Sequence, residues 1–210
     1  QSSKDVEQKL ARLYRDTLNF AKLGDEKSTA RAGRDTLTLA KSLKKTQYYD
    51  VGFTLFNTLS SLDDKEGMLQ TYAFLKETQA DNPKMLQVNL ALLKNAESQK
   101  DELGIEIYAK DILRLQNLTN DTADSPYVDF ALAQSYIRTQ RFDEAINVLD
   151  KLLQKDINDD NKQKALYLKG SVLKTSGQDS QAAFEQCVNI NYEGAWKSLC
   201  TQALNILKGN

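Results

Sequence analysis

Apolar residues return at three- and four-residue steps along nearly the whole chain, in stretches parted by only a few polar positions. That spacing is the signature of amphipathic helices. Val6, Leu10, Leu13, Tyr14, Leu18 and Ala21 form the first stripe, which ends near Gly24. A single helix cannot cover such a stripe by itself, so every segment requires a neighbour. Only 2 prolines and 9 glycines interrupt the 210 residues, which suits helices joined by short connections. Further helices are expected over 28–43, 48–59, 65–78, 84–97, 102–116, 126–139, 143–155, 161–175, 179–190 and 196–207. The strand-like window 104–108 keeps the helical period of its surroundings and belongs to a helix.

About eleven helices joined by a few residues each place sequential neighbours antiparallel. The expected fold is therefore all-α, a right-handed superhelix (solenoid) of antiparallel helix hairpins, with an irregular all-helical domain as the alternative. Asp81, Asn82 and Pro83 read as a turn leading into a helix, and Pro126 repeats the device. Gln140 and Arg141 mark a tight turn, and Gly177 fits a left-handed helix end. The chain reads as a single domain, 1–210, with a best repeat at 126–156, a degenerate one at 161–190 and a capping helix at 195–208.

Composition narrows the function. The formal net charge of −1 argues against nonspecific nucleic-acid binding, although residues 1–47 hold 11 Lys/Arg against 6 Asp/Glu. No run approaches the roughly 18 apolar residues that span a bilayer, so no membrane insertion is expected. The sequence contains no histidine, which removes the commonest general base and the commonest zinc ligand. No glycine-rich phosphate loop is present. The acidic clusters Asp63, Asp64, Glu66 and Asp156, Asp159, Asp160 read as helix caps and turns; the second lacks the glycine and terminal glutamate of a calcium loop. No catalytic residue, cofactor or metal is expected, and the chain does not read as an enzyme.

Cys187 and Cys200 are the two cysteines, and their midpoint falls at the turn between the last two helices. Positions equidistant from a hairpin turn face each other, and Cys200 lies on the apolar stripe of Trp196, Leu199, Ala203 and Leu207. A disulfide there would close a loop worth roughly 3 kcal/mol on the chain-entropy model and would indicate a periplasmic or secreted setting. Two buried free thiols, compatible with the cytoplasm, are the alternative. The segment begins at Gln1, not Met, which reads as a processed protein or an excised fragment. Trp196 starts the same stripe and reads as core.

Within 127–156, Leu132, Ala133, Tyr136, Phe142, Ala145, Ile146, Leu149 and Leu152 fall at signature spacing, and the stretch resembles a tetratricopeptide repeat. The small residues Ala133 and Ala145 let two helices approach, while Tyr136 and Phe142 fill the remaining space. Leu168, Lys169, Gly170, Leu173 and Gly177 are similar to a second copy, offset from the family period of about 34. Leu90, Ala91 and Leu92 fit more loosely. The resemblance implies a concave surface lined by the first helix of each pair, which holds a partner protein or peptide. Carried onto this chain, its positions are Tyr127, Phe130, Gln134, Ile137 and Arg138, then Lys164, Tyr167, Ser171 and Lys174. Each also reads as ordinary surface or inter-repeat packing. Phe130 and Gln134 stand where the chaperone-tail-binding members carry Lys and Asn, so that carboxylate clamp is absent. The general style of the sequence, with Cys187 to Cys200 around Trp196, is also similar to the periplasmic paralysed-flagellum accessory scaffolds of epsilonproteobacterial flagellar motors.

The leading expectation is an interaction scaffold, a monomer or one part of a hetero-assembly. Self-association through Phe53 and Phe56 or the terminal hairpin is the second, and carboxylate enzymology a remote third.

Overall fold

The structure, a computed structural model, describes residues 2–209, and among these it contains eleven α helices and no strand. They are α1 (Ser3–Lys22), α2 (Glu26–Ser42), α3 (Val51–Ser61), α4 (Lys65–Thr78), α5 (Met85–Gln99) and α6 (Glu102–Thr119), followed by α7 (Tyr127–Arg138), α8 (Phe142–Leu153), α9 (Asp159–Thr175), α10 (Gln181–Asn189) and α11 (Ala195–Leu207). The all-α expectation and its helix count hold. The window 104–108 lies inside α6.

One turn recurs. Gly24, Asp63, Lys100, Gln140 and Gly177 all have positive φ, and in each case the next residue's N–H bonds back to a carbonyl five residues earlier. The five bonds are Asp25 to Phe20, Asp64 to Leu59, Asp101 to Ala96, Arg141 to Tyr136 and Gln178 to Leu173, at 2.8–3.0 Å. This closes the first helix of each hairpin in the Schellman manner. Asp25, Asp64 and Asp101 then cap the second helix, accepting from the N–H groups of Ser28, Gly67 and Gly104. These five turns lie about 37–40 residues apart, within the range of helical-repeat periods, and Lys44 ends α2 with the same geometry, the Lys45 N–H bonding to the Ala40 carbonyl at 2.9 Å.

The chain divides into two compact units, Gln1–Val88 and Asn89–Asn210. In the first, α1 packs on α2, α2 on α3 and α3 on α4. Leu10, Leu55, Phe56, Leu59 and Leu75 are buried between them. Thr17 and Thr36, both fully buried, meet with their hydroxyls 3.2 Å apart between α1 and α2, and each also lies within bonding distance of its own helix's carbonyl four residues back. The buried hydroxyls are thereby satisfied.

Two expectations change here. Phe53 and Phe56 are 5% and 1% exposed, so they hold the first unit together and offer no surface for self-association. The helix expected over 48–59 begins only at Val51, after a separate 3-10 turn, Thr46–Tyr48. Tyr48 sits edge-on against Tyr14 of α1 and Tyr49 against Phe74 of α4, at 5.1 and 4.9 Å. Consecutive aromatics held by two different helices favour a turn there.

In the second unit α6 packs on α7, α7 on α8, α8 on α9, α9 on α10 and α10 on α11, with α11 also touching α9. Phe130, Ala133, Leu149, Leu152, Ile157 and Ala165 form one buried cluster across α7, α8 and α9. Leu166, Phe184, Cys187, Cys200 and Leu204 form the next. The Cys187 and Cys200 sulfurs lie 2.07 Å apart, at bonding distance, between α10 and α11.

Gly170 of α9 explains how α10 approaches so closely: a Cβ there would lie 2.6 Å from the Phe184 ring, which is 1% exposed. The ring has no room to yield. Gly170→Ala is expected to cost about 1–3 kcal/mol, read as a lower urea midpoint; an unchanged midpoint would mean that α9 and α10 are not packed in this way.

Candidate protein-binding surface

Most of helix α7 is buried, and apart from Phe130 the sequence-expected residues of this helix are the ones that reach solvent. Val128, Ala131, Leu132 and Ala133 are buried and fix its rotation, because the 3.6-residue period leaves Gln134 and Ile137 together on the partly exposed side. On α9 the same logic brings Lys164 and Tyr167 to partial exposure and Lys174 to full exposure.

The structure draws three of the expected residues into one cluster. The Lys164 ammonium lies 4.2 Å from the centre of the Phe130 ring and 5.7 Å from that of Trp196. Tyr167 packs at 5.6 Å from Trp196 and 6.1 Å from Phe184. One cation thus sits between aromatic rings from α7 and α11, an arrangement that favours both the charge and the apolar stem of the lysine. Phe130 itself is covered, being 5% exposed in the core cluster; its role is to seat Lys164.

Tyr127 and Arg138 are exposed, yet both are tied to the preceding hairpin. The Tyr127 hydroxyl donates to Glu97 of α5, and burial, then that carboxylate, push its pKa up to about 12. Arg138 grips Glu102 of α6 through Nε and Nη2 at 2.7 and 3.1 Å, and Ser135 Oγ donates to the same carboxylate at 2.5 Å. One helical turn along α6, Glu106 receives Arg141, Lys110 at 2.6 Å and the Tyr136 hydroxyl at 3.2 Å. Glu102 and Glu106, four residues apart on one helix face, meet Arg138 and Arg141 on either side of the Gln140 turn. Sequence reasoning missed this double tie. The i,i+4 glutamates are visible in sequence, but their arginine partners are more than thirty residues away.

Trp196, expected in the core, is half-buried, with its ring part of the Lys164 cluster. Its place near the start of the helix following α10 is the available signal. Ser171 spends its hydroxyl on the Tyr167 carbonyl at 2.9 Å. Asp64 is a helix cap that also receives Arg34. Among the described residues no group of three or more metal-ligating side chains gathers, and no helix is long and apolar enough to cross a membrane.

No family model matches the chain, and no curated protein matches it. Among solved structures, the chain is similar to the nearly identical TPR-like repeats named after a kinesin light chain from Podosopora anserina, at 14% identity and a TM-score of 0.47 over 87% of this chain and 94% of that one. A singly substituted form of those repeats gives the same values. A tetratricopeptide repeat protein from Parabacteroides merdae is 13% identical, with a TM-score of 0.33 over 96% of this chain and 99% of that one. The assignment of helical hairpins rests on the helices and turns described above.

Bonded first by Arg141 and then by Lys110, Glu106 has its pKa lowered from 4.5 to about 2. A carboxylate favoured by folding adds stability above its unfolded pKa and loses it as the pH falls through the folded one. Glu106→Gln is therefore expected to lower stability at neutral pH by about 1–2 kcal/mol. The gap to the unsubstituted protein, measured by urea unfolding, narrows below about pH 4.5 and closes near pH 2; a gap independent of pH would contradict the tie.

Proposed function

We propose that this protein is an interaction scaffold that holds a partner protein on the first-helix face of its second unit. The observation that carries the reading is the Lys164 cluster, in which α7, α9 and α11 bring a cation, Tyr167 and the half-buried Trp196 together. Aromatic rings and a seated cation offer a partner both apolar area and a directional donor. Gln134, Ile137, Lys164, Tyr167, Trp196 and Lys174 are the contact residues. Phe130 supports that surface from within the core, and the exposed Tyr127 and Arg138 brace α7 against the preceding hairpin through Glu97 and Glu102.

A periplasmic or secreted setting is part of the proposal, supported by the sulfurs of Cys187 and Cys200 at bonding distance. Membership of a larger periplasmic assembly such as a flagellar motor rests on the sequence resemblance alone. A carboxylate-dependent enzyme is the remote alternative. The protein acts as a monomer or within a hetero-assembly; a self-associating module is the competing reading.

A photo-crosslinking amino acid placed at Gln134 or Lys174, in cells of the native host, is expected to yield a discrete adduct with another protein. The same group at Leu23, which is 80% exposed on the first unit, serves as the control. Gln134→Ala with Lys174→Glu should reduce capture of that protein while shifting unfolding by less than about 0.5 kcal/mol. Adducts containing only this chain would favour self-association, and identical adducts from all three positions would end the proposal.

A further inference from the structure

A cleft of about 600 Å³ opens in the second unit on another side of α7, between α6 and α8. Asp129, Leu132 and Tyr136 of α7 form its floor. These positions, three and four residues apart, share a face roughly opposite that of Gln134 and Ile137. Those three are almost wholly buried, so the accessible apolar surface comes from Leu113 of α6 and Val148 of α8, both partly exposed, with charged side chains at the rim.

The charge at that rim is one-sided. Lys110, Arg114, Lys151 and Lys155 line the cleft against two carboxylates, Asp129 and Glu144. Asp129 is 2% exposed and is bonded by Lys155 at 2.7 Å and by the Ser125 hydroxyl at 2.7 Å. Glu144 is held by Arg141, with Nη2 donating at 2.6 Å. Lys110 bonds Glu106 and Arg114 bonds Asp111, yet their side chains remain 55% and 40% exposed. Lys151 is exposed as well. Solvent therefore meets cations whose counter-charges lie mostly behind them.

The outer face of α6 extends the pattern. Ile107, Lys110, Arg114 and Leu118 follow one another at three- and four-residue steps, with Ile107 46% and Leu118 59% exposed. Two exposed apolar residues bracket two exposed cations along a single stripe.

We propose that this cleft is a second docking site, which takes an acidic amphipathic segment of a partner protein, with its leucine-type side chains against the partly exposed Leu113 and Val148 and its carboxylates against Lys110, Arg114 and Lys151. Charge complementarity selects the acidic segment, and the apolar wall selects a peptide with a hydrophobic face over a nucleic acid, whose binding needs a continuous phosphate track. The site is independent of the first-helix face, since it uses the opposite side of α7.

The test is fluorescence anisotropy on the full chain with a fluorescein-labelled peptide that carries leucine at helical spacing and glutamate elsewhere. Saturable binding is expected, weakening as salt is added. Lys151→Glu and Asn147→Glu, both at exposed lining positions, should each weaken it about tenfold, whereas Lys174→Glu on the first-helix face should leave it unchanged. Absence of saturable binding overturns the proposal. So does equal binding of the same peptide with lysine in place of glutamate, or of a labelled thymidine oligonucleotide. Loss of binding in Lys174→Glu but not in Lys151→Glu would move the peptide to the first-helix face and overturn it too.

Discussion

Close approach of neighbouring helices governs the second unit, and it is obtained by small side chains set opposite large ones. Ala133, Ala145 and Ala165 are fully buried, and Phe130, Leu149 and Leu152 fill the volume those alanines leave. Gly170 carries the same device to α10, where the Phe184 ring lies against its backbone. Interiors this dense tolerate neither an added methylene nor a lost one without cost. Because Phe130 of α7, Leu149 of α8 and Ala165 of α9 belong to a single cluster, three consecutive helices are held by one set of contacts.

That packing fixes the rotation of α7 and thereby decides what each of its sides can do. One side carries Gln134 and Ile137 beside the Lys164 cluster; the other forms the floor of the basic cleft. Polar ties then set the register of one hairpin against the next. Glu102 and Glu106 clamp Arg138 and Arg141, and Tyr127 reaches Glu97. Partly exposed pairs of this kind add only about 0.2–1 kcal/mol each, so they orient the hairpins while the apolar contacts supply the stability.

Much of this was legible in the sequence, and the physical reason differs by feature. Helices were visible because a 3.6-residue apolar period is a local signal, and the best hairpin because Ala133, Tyr136, Ala145 and Leu149 serve packing directly. The repeated turn was largely hidden. Its left-handed residue is glycine at 24 and 177, but Asp63, Lys100 and Gln140 adopt the same conformation, so the geometry recurs where the residue type does not. The candidate surface was read in part: Lys164 and Tyr167 sit at the cluster, whereas Phe130 proved to be its buried base and Trp196 a missing member. Exposure depends on the rotation of a helix against distant neighbours, and the family's positions carry no information about that. The pairing of Arg138 with Glu102 was invisible for the same reason, as was the cleft across α6, α7 and α8.

The central claim is that α7, α8 and α9 stand or open together. Native-state hydrogen exchange on Ala165→Leu tests it most directly, because the substitution overpacks the cluster from α9 alone. The account predicts that amide protection falls in α7 and α8 as far as in α9, whereas loss of protection confined to α9 would contradict it.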